Sequence, residues 1–438
     1  MAWGVIARPK RPLPDEVRVF EFTDRDLIRE ADPDPAVLGE AGIAWRVLVG
    51  RDRKPIGVRL TIAHAGSAQG EPGAQVTLSA LLDCVLAGLT TEVDEQPVFP
   101  HGLIVLSPGD FELNEAMQGW RAPRNVLLEF GLDDLRDDRW LNMMFEVRKQ
   151  GVRMALRVDG PDAVPPERLP YFQYLVAPSR QAVPQTVDPA NVSILTLEAS
   201  DHAQIDADFS SGVHATSGWP LQAPNRREPG GPTPTQTAVF ELIRLVQADA
   251  GVSALERVFR GEPRLAYLLL TLANSAALRR SGPVSSIGHA ISLLGYQRLV
   301  KWLVLLLAIA DKDEGTAPLV YVAVARGHLL ENLLAAARRP RSERDDAFIV
   351  GTFSLLDSIT GQRLADLLRD AHLPASIAEA LLADSGPYAS LLQIAREFEA
   401  PDPRLLPRIQ AELGIEPAEA NRALLRAIAS ADSLQSLI

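Results

Sequence analysis

Between Ala223 and Gln236 the chain reads APNRREPGGPTPTQ, and the hydrophobic pattern differs on its two sides. Before this stretch, short β-branched runs alternate with helix-like segments. After it, apolar residues recur at helical spacing with only brief breaks. Prolines, a glycine pair and polar residues mark the stretch itself as a linker, locally stiffened by proline. One sheet or one bundle cannot satisfy both patterns. The 438 residues suit two or three domains. The expected division is an N-terminal extension over 1–42, an α/β domain over 43–222, the linker over 223–236 and an all-α domain over 237–438.

In the first part, Asp32-Pro33-Asp34-Pro35 reads as a turn or helix start, and Val17 to Phe22 alternates like an edge strand. Trp45 to Val49 and Ile56 to Ile62 read as a hairpin around Asp52-Arg53-Lys54-Pro55. Leu78 to Leu89 and Arg139 to Lys149 read as helices. Strands are expected at Gly102–Leu106, Asn125–Phe130, Gly151–Val158, Phe172–Val176 and Val192–Leu197. Such alternation argues for an α/β domain with mostly parallel strands.

In the second part the most specific segment runs from Glu262 to Gly295. Leu265, Leu268, Leu269, Leu272 and Ala276 form one apolar helical face, and Asn274-Ser275-Ala276 closes it with small and polar groups. The residues from Arg279 to Pro283 break the helix. Ser285 and Ser286 are N-cap candidates for the next one, because a serine oxygen accepts from an unpaired N–H at a helix start. Ile287, Ala290, Ile291, Leu293 and Leu294 make its apolar side, and Gly295 is a stop or close-packing point. The run Leu299 to Ala310 is apolar nearly all round and reads as the central core helix.

The bulk numbers narrow the function classes. A net charge of −12 disfavours binding to nucleic acid or an anionic membrane, which needs clustered Lys and Arg. The single cysteine, Cys84, excludes an intramolecular disulfide and cysteine-type zinc sites. The first residues lack the apolar core of a signal peptide, and Leu299–Ala310 is too short to span a bilayer. A cytoplasmic location is expected.

The second half resembles the HDOD domain, a bacterial signalling module related to HD phosphohydrolases. The pattern DP-x-L…LL-x-x-x-NSA…SI-x-x-AI-x-x-LG appears as Glu262-Pro263-x-Leu265, Asn274-Ser275-Ala276, Ser286-Ile287, Ala290-Ile291 and Leu294-Gly295. HD phosphohydrolases carry an adjacent His-Asp pair for metal. Here the matching place is Leu355-Leu356-Asp357-Ser358-Ile359, so the histidine falls on Leu356 and only Asp357 remains. His328 and Asp357 together make a fragment of a metal site at most.

The first half resembles the EAL domain, a barrel that hydrolyses cyclic di-GMP. The glutamate of its first motif falls on Arg59 in Gly57-Val58-Arg59-Leu60. The asparagine of the next falls on Val105 in Val105-Leu106-Ser107-Pro108. The glutamate of Leu128-Glu129-Phe130 is kept. The paired aspartates fall on Arg157 and Val158, and the lysine-isoleucine-aspartate strand end falls on Val176-Ala177-Pro178. A metal pair needs several convergent carboxylates, and arginines put positive charge where cations should sit. Arg59 and Arg157 either meet a phosphate or pair with a carboxylate such as Glu129. Barrels of this kind typically take about 250 residues. The expectation is therefore a degenerate, trimmed barrel, completed by the first 40 residues if it closes at all.

These resemblances imply an EAL-HDOD signalling protein of a cyclic di-GMP-related pathway governing motility, biofilm or virulence. It is expected not to be an enzyme, to hold no cofactor and no metal, and to act on unidentified signalling proteins or as a homodimer. Asn274, Ser275, Ser286, Ile287, Ala290 and Gly295 are the candidate interaction residues. Two alternatives stay open: a receptor that binds cyclic di-GMP without cutting it, and a metal-dependent phosphohydrolase using Glu129 or Asp357.

Overall fold

A computed structural model describes residues 33–64, 76–93, 96–109, 111, 115–135, 138–160, 164, 169–184, 187, 191–197, 199, 201–221, 234–274, 284, 286–309, 315–369, 373–399 and 405–435. The edge strand expected at Val17–Phe22, and nearly all of the linker, lie outside these residues. Pro234, Thr235 and Gln236, assigned to the linker, instead open a helix, Pro234–Gln247; proline at a first helical position lacks only an N–H that would have no partner there.

Chain entry is set by Asp34, whose carboxylate accepts from the Ala36 N–H and caps the short helix Pro35–Gly39. Strands β1 (Ala41–Gly50) and β2 (Pro55–His64) follow as an antiparallel hairpin. Asp52 accepts from the Lys54 N–H in its turn. The remaining strands are β3 (Thr91–Val93), β4 (Gln96–Val98), β5 (Leu103–Ser107), β6 (Val126–Phe130), β7 (Arg153–Arg157), β8 (Tyr174–Ala177), β9 (Ser193–Leu197) and β10 (Ala215–Ser217). β3 and β4 form a separate ribbon. The other eight close a barrel in the order β1-β10-β9-β8-β7-β6-β5-β2. All neighbours are parallel except β1, which runs against both β2 and β10.

The expectation of an incomplete barrel is corrected. It closes within Ala41–Ser217, with no strand from the first 40 residues among those described. Its economy lies in the crossovers. Among its described residues, only Leu78–Leu89, Asp138–Lys149 and His202–Ser210 are α-helices; several other connections are single 3₁₀ turns. Wall missing from the barrel half comes from the other half. Helices Ala317–Ala336, Ala389–Phe398 and Pro417–Gln435 all pack on β1.

After the linker the described chain is helical: Pro234–Gln247, Val252–Gly261, Pro263–Ala273, Ile287–Ile309, Ala317–Ala336, Arg341–Phe353, Leu356–Thr360, Leu364–Arg369, Ala375–Leu382, Ala389–Phe398, Leu406–Leu413 and Pro417–Gln435. Ile287–Ile309 is broken at Gly295, whose φ of 72° and ψ of 158° are not helical. The central position belongs to Ala317–Ala336 rather than to Leu299–Ala310. That earlier helix carries Lys301 and uses it to reach Glu331, while Ala317–Ala336 is packed by helices on several sides. Ala317–Ala336 is also long and apolar enough by composition to cross a membrane, and 72% of its apolar window is buried within this fold.

The two halves share one hydrophobic core, running from Trp45 and Leu60 in the barrel to Tyr321 and Leu425 in the helices. A second, smaller cluster (Leu48, Val105, Leu127, Ala155, Tyr174, Val176, Leu195 and Ala215) fills the barrel interior.

Candidate functional site

Strand alternation places a polar layer above that interior cluster. Residues two apart share a face, so Leu127 and Ala155 in the core bring Glu129 and Arg157 onto the same inner wall one step further along. Arg59 on β2 sits opposite Arg46 on β1, and directly opposed residues of an antiparallel pair share a face. Ser107 closes β5 and Ser217 closes β10. This layer lies at the carboxyl ends of the parallel strands, the end where barrels of this type carry their chemistry.

At its centre Arg59 donates through Nε and Nη2 to the two carboxylate oxygens of Glu129, at 2.8 and 2.7 Å. Ser107 Oγ lies 3.0 Å from both Arg59 Nη2 and Glu129 Oε1, and Arg59 Nη1 donates to Thr61 Oγ1 at 3.0 Å. Glu129 and Arg59 are buried, at 2% and 8% exposure. Arg157 stands 3.8 Å from Glu129 Oε1 and keeps 39% of its side chain exposed. Arg46 lies beside Gly218, which has a positive φ of 93° and no side chain to obstruct the guanidinium. Asp134 accepts from the Gly131 N–H at 2.7 Å. Burial pushes its pKa up, against the Gly131 N–H and the Arg157 charge. Ser217 Oγ is buried without a hydrogen-bond partner.

The structure thus brings together Arg59, Glu129 and Arg157 of the sequence-selected residues. Val105 lies one layer lower, in the barrel core. Val158 faces the outer core and Pro178 is exposed past the end of β8, so neither lines the layer. Arg46 and Asp134 were missed. An arginine inside the otherwise apolar strand AGIAWRVLVG was the available signal for Arg46.

This layer does not fit a metal pair. Both oxygens of its buried glutamate are engaged by Arg59, and among the described residues no group of three or more His, Cys, Asp or Glu could hold a metal ion.

In the helical half, Leu356 is buried and opens a short helix, and Asp357 lies in its first turn, with its carboxylate accepting from the Ser358 N–H. His328 faces Glu331, with Nδ1 3.4 Å from Oε2. Lys301 Nζ contacts both Glu331 oxygens at 2.5 and 2.7 Å. Burial opposes ionisation of Glu331, yet the His328 hydrogen bond and the Lys301 charge bring its pKa down to about 2. Burial holds the His328 pKa below its ordinary value, against Glu331.

Of the interaction candidates, Asn274 is a structural staple. Its Nδ2 donates to the carbonyls of Leu270 and Val284, and its Oδ1 accepts from the Val284 N–H, each at 2.8 Å. Ser286 Oγ accepts from the His289 N–H and caps the next helix. Ile287 is half-buried and Ala290 is buried. Gly295 is the kink, and Ser275 lies outside the described residues.

The helical hairpin agrees with the family comparison. Residues 232–351 match the HDOD domain. They are an HDOD domain.

Two curated relatives resemble the chain. The Vibrio cholerae protein named cyclic di-GMP phosphodiesterase CdgJ is 25% identical over 207 residues, 47% of this chain and 48% of the relative. Bacillus subtilis YuxH, an uncharacterised protein, is 25% identical over 165 residues, 37% of this chain and 40% of the relative. The chain therefore spans half or less of each relative's length. Among solved structures, Bacillus subtilis YkuI, described with an EAL domain in complex with cyclic di-GMP and calcium, is 13% identical. The alignment covers 61% of this chain and 76% of that one, at a TM-score of 0.29. The expectation that the chain is not an enzyme is overturned by the first relative, whose name is that of a phosphodiesterase.

Proposed function

We propose that this is a signalling protein of a cyclic di-GMP-related pathway whose barrel mouth receives the phosphodiester of the nucleotide through arginine. The observation that carries the reading is the charge of the polar layer. Three guanidinium groups, Arg46, Arg59 and Arg157, share it with two carboxylates, Glu129 and Asp134. Arg59 is spoken for by Glu129. Arg157 is the more exposed cation, and a planar guanidinium suits bidentate contact with phosphate. The helical half carries the signal onward to a protein partner, a role supported by the core it shares with the barrel.

The name of the Vibrio cholerae relative favours a second reading, in which the bound phosphodiester is also cut. Glu129 and Asp134 are the carboxylates at hand in the mouth.

Titration calorimetry of the full chain with cyclic di-GMP at fixed salt tests the first reading. Arg157→Ala is expected to weaken binding by about tenfold or more, the loss of one charge-assisted contact. Chromatography of the same mixtures, with and without magnesium or manganese, tests the second through the linear product. Absence of heat at high nucleotide concentration, with no product, overturns both.

A further inference from the structure

β1 and β2 have two faces with different owners. Inward, they present Arg46 and Arg59 to the mouth, with Leu48 and Gly57 in the layer below. Outward, Trp45, Val47, Val58, Leu60 and Ile62 belong to the core shared with the helical half. Successive residues of a strand point to opposite sides. Arg46 therefore sits between Trp45 and Val47, and Arg59 between Val58 and Leu60. Each mouth arginine is flanked along the backbone by side chains buried in that common core.

The grip on this hairpin is specific. The Trp45 and Tyr321 rings lie 6.2 Å apart, centre to centre. Asn421, fully buried on the last helix, donates from Nδ2 to the carbonyls of Ala41 and Leu38, at 2.5 and 2.9 Å. Arg422 donates to the Pro33 carbonyl at 3.0 Å. Eleven positions along the helix from Asn421, Asp432 accepts from the His101 N–H at 3.1 Å, at the opposite rim of the barrel. Leu425, between them, fills the space left open at Gly88 of the barrel helix Leu78–Leu89. Pro417–Gln435 thus runs down the wall as a barrel helix would, although it belongs to the other half.

We infer that the β1–β2 hairpin couples the barrel mouth to the helical half. Its outer face is an interaction surface whose partner is the chain's own helical half, and a change in the Arg59–Glu129 pairing inside moves the helices outside. Such a coupling is reciprocal, because a free energy of interaction between two sites acts equally on each of them. It holds whether or not the mouth takes a nucleotide, so its test needs no ligand.

The test is hydrogen exchange of the full chain, read by mass spectrometry, on Glu129→Gln inside the barrel and Asn421→Ala outside it. Loss of one buried hydrogen bond shifts a local opening equilibrium by about tenfold. Asn421→Ala is expected to speed exchange in β1 and β2 by about that factor. Glu129→Gln is expected to do the same in Ala317–Ala336 and Pro417–Gln435. β8 and β9, across the barrel, report global unfolding, and the coupling is read as the loss of protection in the helices or the hairpin in excess of the loss there. Where either variant fails to fold, Ser107→Ala replaces the inner one and Asp432→Ala the outer one. Denaturation midpoints of the single and double variants supply a second reading, with non-additive shifts expected. Inner variants whose effects stop at the barrel, together with additive midpoints, overturn the inference.

Discussion

Glu129 and Arg59 meet in the barrel as a two-pronged ion pair, at 2.7 and 2.8 Å, with only 1% of the glutamate side chain and 9% of the arginine side chain exposed. Removing Glu129 leaves Arg59 charged and buried without its carboxylate, and removing Arg59 leaves Glu129 with only the longer contact to Arg157 at 3.8 Å and the Ser107 hydroxyl. Glu129→Gln or Arg59→Met is expected to destabilise the chain by about 3–5 kcal/mol, whereas the double change Arg59→Met with Glu129→Leu recovers most of that loss. Urea denaturation of the three variants checks it. Equal losses in the single and double variants would refute an unmatched buried charge as the cause and assign the stability to the pair itself.

Much of the fold was legible because it is local. The helix Leu78–Leu89 has the bounds its pattern predicts, since Thr77 caps it and Leu81, Leu82, Val85 and Leu86 form its buried side. The β1–β2 hairpin followed from apolar runs around a polar turn. Closure of the barrel was not legible, because its outer wall is supplied by residues such as Asn421 and Leu425, hundreds of positions from the strands they cover. No local pattern announces that contact. At the mouth, Arg59, Glu129 and Arg157 were found through a resemblance. Asp134 escaped because it reaches the site from a 3₁₀ turn after β6, not from a strand. Asn274 was singled out for interaction, and its three bonds to Leu270 and Val284 give it structural work instead.

Those three bonds make a second prediction. Asn274→Ala strips the carbonyls of Leu270 and Val284 and the Val284 N–H of their side-chain partner, and is expected to cost about 2–3 kcal/mol. Asn274→Asp keeps the acceptor but loses both donors, and sets a carboxylate against two carbonyls. It is expected to be at least as damaging. Thermal unfolding ranks the variants, and an aspartate variant as stable as wild type sinks this account.

Gly57 allows β2 and β5 to meet. A Cβ placed there would lie 1.9 Å from the Leu103 carbonyl oxygen and 2.5 Å from its nitrogen, both backbone atoms that cannot swing aside. Gly57→Ala is expected to part the seam between these strands, which are paired from Gly57–Leu103 to Thr61–Ser107. The measurable outcome is loss of soluble, cooperatively unfolding protein. Gly251→Ala, at a helix N-cap whose added Cβ meets nothing within 4 Å, should stay soluble and unfold cooperatively, losing only the modest capping preference of glycine.

The final prediction concerns acid. His328 is neutral in the fold at ordinary pH, and its Nε2 is buried without a partner, so a second proton there has no acceptor. Its folded pKa lies below the ordinary 6.5, chiefly through burial. The unfolded chain therefore binds more protons in that range, and stability is lost as pH falls below 6.5. Glu331 acts in the same direction lower down. Its folded pKa of about 2 lies below the ordinary 4.5, so its contribution is present above 4.5 and disappears between 4.5 and about 2. Asp134, Asp346 and Asp432, whose pKa values burial raises, pull the opposite way. The difference between wild type and His328→Gln separates the effects. Denaturation midpoints should fall for wild type from pH 7 to pH 5 and stay flatter in the variant. Parallel curves would show that His328 is not the group that titrates.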